Sequence, residues 1–145
     1  MTVPALHITR RMPAPRETVF ALWLDAASLK DWMCAGDTHV SSIVVNPVVG
    51  GRFRIDMTSP DGRTLLHIGE YLVIQPPEKL VFTWRSPAVD DRTTQVTVEL
   101  RDDGDGCQLT LIHETLPHEG SVEQHRMGWN DILSKLVACI VEEYP

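Results

Sequence analysis

Residues 46–84 read NPVVGGRFRIDMTSPDGRTLLHIGEYLVIQPPEKLVFTW. This stretch holds three strand-like runs joined by two turns. In GRFRIDMT, Phe53, Ile55 and Met57 alternate with Arg52, Arg54 and Asp56. Successive strand residues point to opposite faces, so the alternation fits a half-buried antiparallel strand. SPDG ends the run: Pro60 presets φ for the second turn position and Gly62 tolerates the exit geometry. The chain returns through TLLHIGEYLVIQ and turns again at Pro76-Pro77-Glu78, where two prolines cannot continue a ladder. It comes back through KLVFTW, with Leu80, Phe82 and Trp84 on one face. Short connections of this kind demand antiparallel pairing. Gly50 and Gly51 invite another reading, a phosphate loop. Such a loop places its glycines between a strand and a helix N-terminus, often with a lysine after them. Here a strand follows and no lysine does, so the pair reads as a bend through which the strand enters a curved sheet.

The same patterning extends outward. ALHITRRM alternates Leu6, Ile8 and Arg10 against His7, Thr9 and Arg11, a first strand. Pro15 suits a helix start and Glu17 its first turn, and Val19, Phe20, Leu22, Trp23 and Leu24 form an apolar stripe. A break near Asp25 separates this helix from a second short one over Ser28 to Trp32. VSSIVV is β-branched and reads as a strand. TTQVTVELR groups Val96, Val98 and Leu100, DDGDG makes a hairpin loop, and CQLTLIHET groups Leu109, Leu111 and His113. From Ser121 to Glu143 the period becomes helical, with Trp129, Ile132, Leu133, Leu136, Val137 and Ile140 on one stripe and Ser121 in the N-terminal cap region. The order is strand, two helices, six strands, long helix. The long helix must bury its stripe, and the large apolar surface left to receive it is the inner face of the sheet. A twisted sheet wrapped around one helix follows, with a space between them suited to a ligand.

With 145 residues, the expectation is one domain over 1–145. The formal charge of -7 argues against a nucleic-acid partner and against adsorption to an anionic membrane surface, since both need clustered Lys and Arg. No segment approaches a membrane span and the N-terminus has no signal-peptide core, so the expected location is cytoplasmic. Cys34, Cys107 and Cys139 form no CxxC pair and read as three buried thiols in a reducing compartment. No two of the six histidines stand at HxxxH or HxH spacing with a carboxylate as third ligand; neither a metal nor another cofactor is expected.

In this order the motifs resemble the family named after the activator of heat-shock protein 90 ATPase. That family lies within the START-like, birch-pollen-allergen-like superfamily. The likeness rests on Pro15 to Leu22 as a P-x-x-x-V-F-x-A-L helix, on Trp32 ending the second helix, and on Gly50, Gly51 and Phe53 followed by Pro-Asp-Gly. It continues through Gly69, Tyr71, Ile74, Pro76, Pro77 and the Leu80–Trp84 run to Gly128-Trp129. It runs from about His7 to Val141. The resemblance implies an α+β helix-grip fold, about seven antiparallel strands around the C-terminal helix. Two features depart from the family pattern. Many relatives carry an arginine ahead of the glycines, where this chain has Asn46, Pro47 and Val48. The family's namesake has a separate chaperone-engaging N-terminal domain, for which this sequence has no room.

The expected role is to bind a small, largely apolar molecule in the cavity. Trp32, Phe53, Tyr71 and Trp129 should meet where the short helices, the sheet and the start of the long helix converge. Ile55, Met57 and Trp84 share the inner face with them. His67 and His113 supply polar contacts by their inward parity. A cyclase or lyase using His67, Tyr71 and His113 as acid or base is a second class. Chaperone engagement is a third, disfavoured by the missing domain. The apolar edge of VSSIVV suggests a homodimer that would cover it.

Overall fold

A computed structural model describes residues 3–143. The elements run β1 (Leu6–Met12), α1 (Arg16–Leu22), α2 (Ala26–Trp32), β2 (His39–Val45), β3 (Arg52–Thr58), β4 (Thr64–Gln75), β5 (Lys79–Trp84), a 3-10 turn (Pro87–Val89), β6 (Thr94–Asp103), β7 (Gly106–Glu114) and α3 (Glu119–Glu143). All seven strands form one antiparallel sheet in the order β1-β7-β6-β5-β4-β3-β2. The C-terminal helix packs on the inner face with α2 beside it, and α1 lies against β6 and β7. This is the α+β helix-grip architecture expected from the sequence.

Local chemistry explains the boundaries. The second helix starts at Ala26, two residues earlier than the sequence suggests, because the Asp25 carboxylate caps it by accepting from the Ser28 amide at 3.2 Å. The last helix starts at Glu119, and the cap is His118 rather than Ser121: the Ser121 amide donates to His118 Nδ1 at 3.1 Å. Its stripe is buried as expected except at Val137, which is half-buried. Of the three thiols, Cys34 and Cys107 are buried, whereas Cys139 is partly exposed.

The glycine pair is a bend. Gly50 sits at φ +84, and a Cβ on Gly51 would lie 2.1 Å from the Asn46 carbonyl oxygen. Both amides are already used: Gly50 donates to the Tyr71 carbonyl and Gly51 to that of Val48, each at 2.8 Å. No donor is left on either for a phosphate. The Tyr71 amide returns a bond to the Gly51 carbonyl at 2.9 Å, so the bend is stitched to β4.

β4 joins the two halves of the sheet. Its first half pairs with β3 from Thr64 to Glu70 and its second half with β5 from Tyr71, with a register shift between Tyr71 and Val73. Gly69 faces Phe53 across the ladder, and a Cβ there would meet the Phe53 ring at 2.3 Å and the Thr83 carbonyl oxygen at 2.0 Å. The missing side chain lets the Phe53 ring lie over the strand and fill the concave face. Phe53, Ile55 and Met57 are all buried, as their parity requires. Polar side chains tie the helix to the rest of the fold. Arg10 Nη1 donates to Ser134 Oγ at 2.7 Å, and Lys135 Nζ donates to the carbonyls of Cys34 and Gly36 at 2.6 and 2.7 Å.

Candidate functional site between the sheet and the last helix

The interior holds two spaces, and Trp84 forms a wall of both. The inner one, about 20 Å³, lies among Trp23, Leu29, Met33, Phe53, Ile55, Tyr71, Phe82 and Trp84. It has room for roughly one water molecule. The outer one is a cleft of about 140 Å³ between β3, β4 and α3. Met57, Leu65, His67 and Trp84 line its sheet side, Gln124, His125, Gly128, Trp129 and Ile132 its helix side, and Ala35, Thr38 and Ala88 its rim. The Lys135 bonds hold the rim loop of Ala35 against the helix.

The candidate residues therefore divide. Met57, His67, Trp84 and Trp129 line the cleft, whereas Phe53, Ile55 and Tyr71 face the water-sized inner space. Trp32 and His113 line neither. Trp32 is fully buried against Trp23, with ring centroids 4.8 Å apart, and its indole N–H donates to Ser28 Oγ at 3.0 Å. His125 was not among the expected contacts. It lies four residues before Trp129 on the same helical stripe, a spacing that would have placed it in the cleft.

Aromatic rings connect the two walls. His67 meets Trp84 at 5.1 Å, Trp84 meets Trp129 at 5.1 Å, Trp129 meets His113 at 6.2 Å, and His113 meets His125 at 5.0 Å. His113 is held at both nitrogens. The Trp129 indole N–H donates to its Nδ1 at 3.1 Å, which places the proton on Nε2. Nε2 then donates to Thr94 Oγ1 at 2.8 Å, and Thr94 passes its own proton to the Trp84 carbonyl at 2.6 Å. Every donor in the chain is spent, and the imidazole has to be neutral. Burial, with the His125 charge second, pushes the His113 pKa down to about 3.

The other two histidines are fixed at one nitrogen. His67 Nδ1 lies 3.1 Å from the Leu65 carbonyl and His125 Nδ1 lies 2.7 Å from that of Ser121. A carbonyl only accepts, so Nδ1 carries the proton in both rings. Burial lowers the His67 pKa to about 4 against the opposing pull of the Leu65 and Ile55 carbonyls. Burial lowers His125 too, against the Ser121 carbonyl. The acid–base trio of His67, Tyr71 and His113 does not converge. Tyr71 faces the inner space, with burial pushing its hydroxyl up to about 12, and His113 is fully engaged. Among the described residues no group of three or more His, Cys, Asp or Glu is placed to hold a metal ion. None of the helices described is long and apolar enough to cross a membrane.

The model of the Activator of Hsp90 ATPase homolog 1-like protein family matches residues 13–140. The chain belongs to that family. Among curated proteins, no relative of this family member matches. Solved structures do. An AHSA1 protein from Silicibacter pomeroyi is 25% identical with TM-score 0.84, over 97% of this chain and 100% of that one. A Chromobacterium violaceum protein is 23% identical with TM-score 0.84, over 94% and 97% of the two chains. A Rhodobacter sphaeroides protein is 21% identical with TM-score 0.84, over the full length of both. At these identities the last two likenesses establish the shared helix-grip fold of this Hsp90-activator-like chain, and the activity has to be argued from its own cleft.

Proposed function

We propose that this protein binds a small, largely apolar molecule in the cleft between β3, β4 and α3. The observation that carries the reading is the cleft itself, about 140 Å³ walled by Trp84, Trp129, Met57 and Ile132 with two imidazoles among them. An apolar cavity of about 150 Å³ is enough to admit benzene, so the matching ligand has the bulk of a single ring. Binding is favoured over catalysis because the candidate acid and base groups are separated between two spaces or tied to protein partners.

Native mass spectrometry of freshly purified protein tests the reading. The expected outcome is a bound small-molecule mass that is lost in Gly128→Leu. Gly128 lines the cleft, and a Cβ there meets only the Ala35 methyl, at 3.6 Å, so the longer side chain fills the space without breaking the helix. Wild-type protein that carries no ligand and takes up none from a panel of single-ring compounds would remove the reading.

A further inference from the structure

We infer that the ligand of this cleft is a neutral molecule with a hydrogen-bond donor, a hydroxyl or amino group on an apolar ring, and not a carboxylate or an ammonium. The inference rests on the cleft being the binding site and concerns the polarity of what enters it.

The argument starts from two protons. His67 Nδ1 and His125 Nδ1 each face a backbone carbonyl, at 3.1 and 2.7 Å. Carbonyl oxygens cannot donate, so both protons are pinned on Nδ1 and each neutral ring has its lone pair on Nε2. Neither Nε2 has a hydrogen-bond partner among the described residues, and neither is sealed in the way the Trp23 and Trp84 indole nitrogens are. One acceptor stands on β4 and the other on α3, in one cleft. A hydroxyl entering the cleft completes one of these two hydrogen-bonding groups, and an amino group, with two N–H, can complete both; either acceptor would otherwise lose water without compensation.

Charge is excluded by the same surroundings. The burial that keeps both imidazoles neutral penalises any ion placed beside them. A carboxylate would also point its lone pairs at two further lone pairs. The remaining polar groups on the lining, Gln124 and Thr38, carry no charge. An ammonium would find two acceptors but no carboxylate among the lining residues. His113 offers nothing to the ligand, because both its nitrogens are occupied. A neutral donor group is what remains.

Four probes of similar size separate the cases: phenol, toluene, benzoate and benzylammonium, each titrated at neutral pH and followed by fluorescence of the cleft tryptophans. Phenol is the more hydrophilic of the uncharged pair, and an apolar cleft without acceptors prefers toluene. The expected result is phenol binding at least as tightly as toluene, with benzoate and benzylammonium far weaker. Replacing both acceptors with rings of like shape, His67→Phe with His125→Phe, should then lower the phenol-to-toluene affinity ratio about tenfold. If toluene wins in the wild type by the margin a purely apolar cleft gives, or if either ion binds best, the polarity inference is wrong while the cleft remains a binding site. If none of the four binds, the cleft reading and the inference fall together. The wild-type series decides the matter even if the double variant does not fold.

Discussion

Two tryptophans of similar burial make the residue-scale point. Trp23 and Trp129 are each 2% exposed. The Trp129 N–H donates to His113, whereas the Trp23 N–H is buried without a partner. Shortening either ring to Phe opens a comparable void. Only Trp129→Phe also strips His113 Nδ1 of its donor, at a cost on the order of 1–3 kcal/mol. Trp129→Phe should therefore destabilise more than Trp23→Phe by about that amount in urea unfolding. Equal losses would mean that the His113 chain contributes nothing. Strand alternation revealed that His113 points inward, and it does, at 0% exposure. What alternation could not reveal is whether an inward residue meets a cavity or another side chain, since that depends on a partner sixteen residues away in Trp129. For the same reason Trp32 reads as a cavity residue in sequence but packs on Trp23.

At the scale of elements, the bend in β4 decides where the site lies. Gly69 leaves the space that the Phe53 ring fills. A methyl there collides with a ring on one side and a backbone oxygen on the other, and only the ring can move. Gly69→Ala should cost about 3 kcal/mol, and Phe53→Leu should recover only part of it. Full recovery in a double-mutant cycle would show that the Thr83 carbonyl imposes no constraint. The element order and the inner faces of β3, β6 and β7 were legible because period-2 and period-3.6 patterns survive without tertiary knowledge. The register shift between Tyr71 and Val73 was not legible, because a bulge leaves no mark in composition and still swaps the faces beyond it. The split into a water-sized inner space and a larger outer cleft falls at Trp84, which walls both. His125 was within reach of the helical period, four residues before Trp129 on the same stripe. In the fold His118 caps the helix while His125 turns into the cleft.

For the whole molecule, three buried neutral histidines make stability depend on pH. His67 has a folded pKa of about 4 and His113 of about 3, and that of His125 is also lowered, in each case chiefly by burial. Unfolding restores each ring to the ordinary value of about 6.5. Below that value the unfolded chain binds protons that the folded chain refuses, so stability rises with pH across this range. The contribution is complete above about pH 6.5 and is lost progressively as pH falls towards the folded values near 4 and 3. Each ring that stays neutral when folded removes roughly 2 kcal/mol between pH 7 and pH 5. Ordinary carboxylate values are about 4, below that window, so the histidines should dominate it. Urea midpoints taken from pH 7.5 down to pH 5 should fall steeply below about pH 6.5 and stay level above it. His113→Gln should flatten the slope by about one proton while lowering stability at neutral pH, because the glutamine cannot titrate and does not fill the volume of the ring packed between Trp129 and His125. A midpoint unchanged between pH 7.5 and pH 5 would show that these rings protonate freely in the folded protein. The two cleft acceptors would then be neutral only above about pH 6.5, and donor-ligand binding would weaken below it.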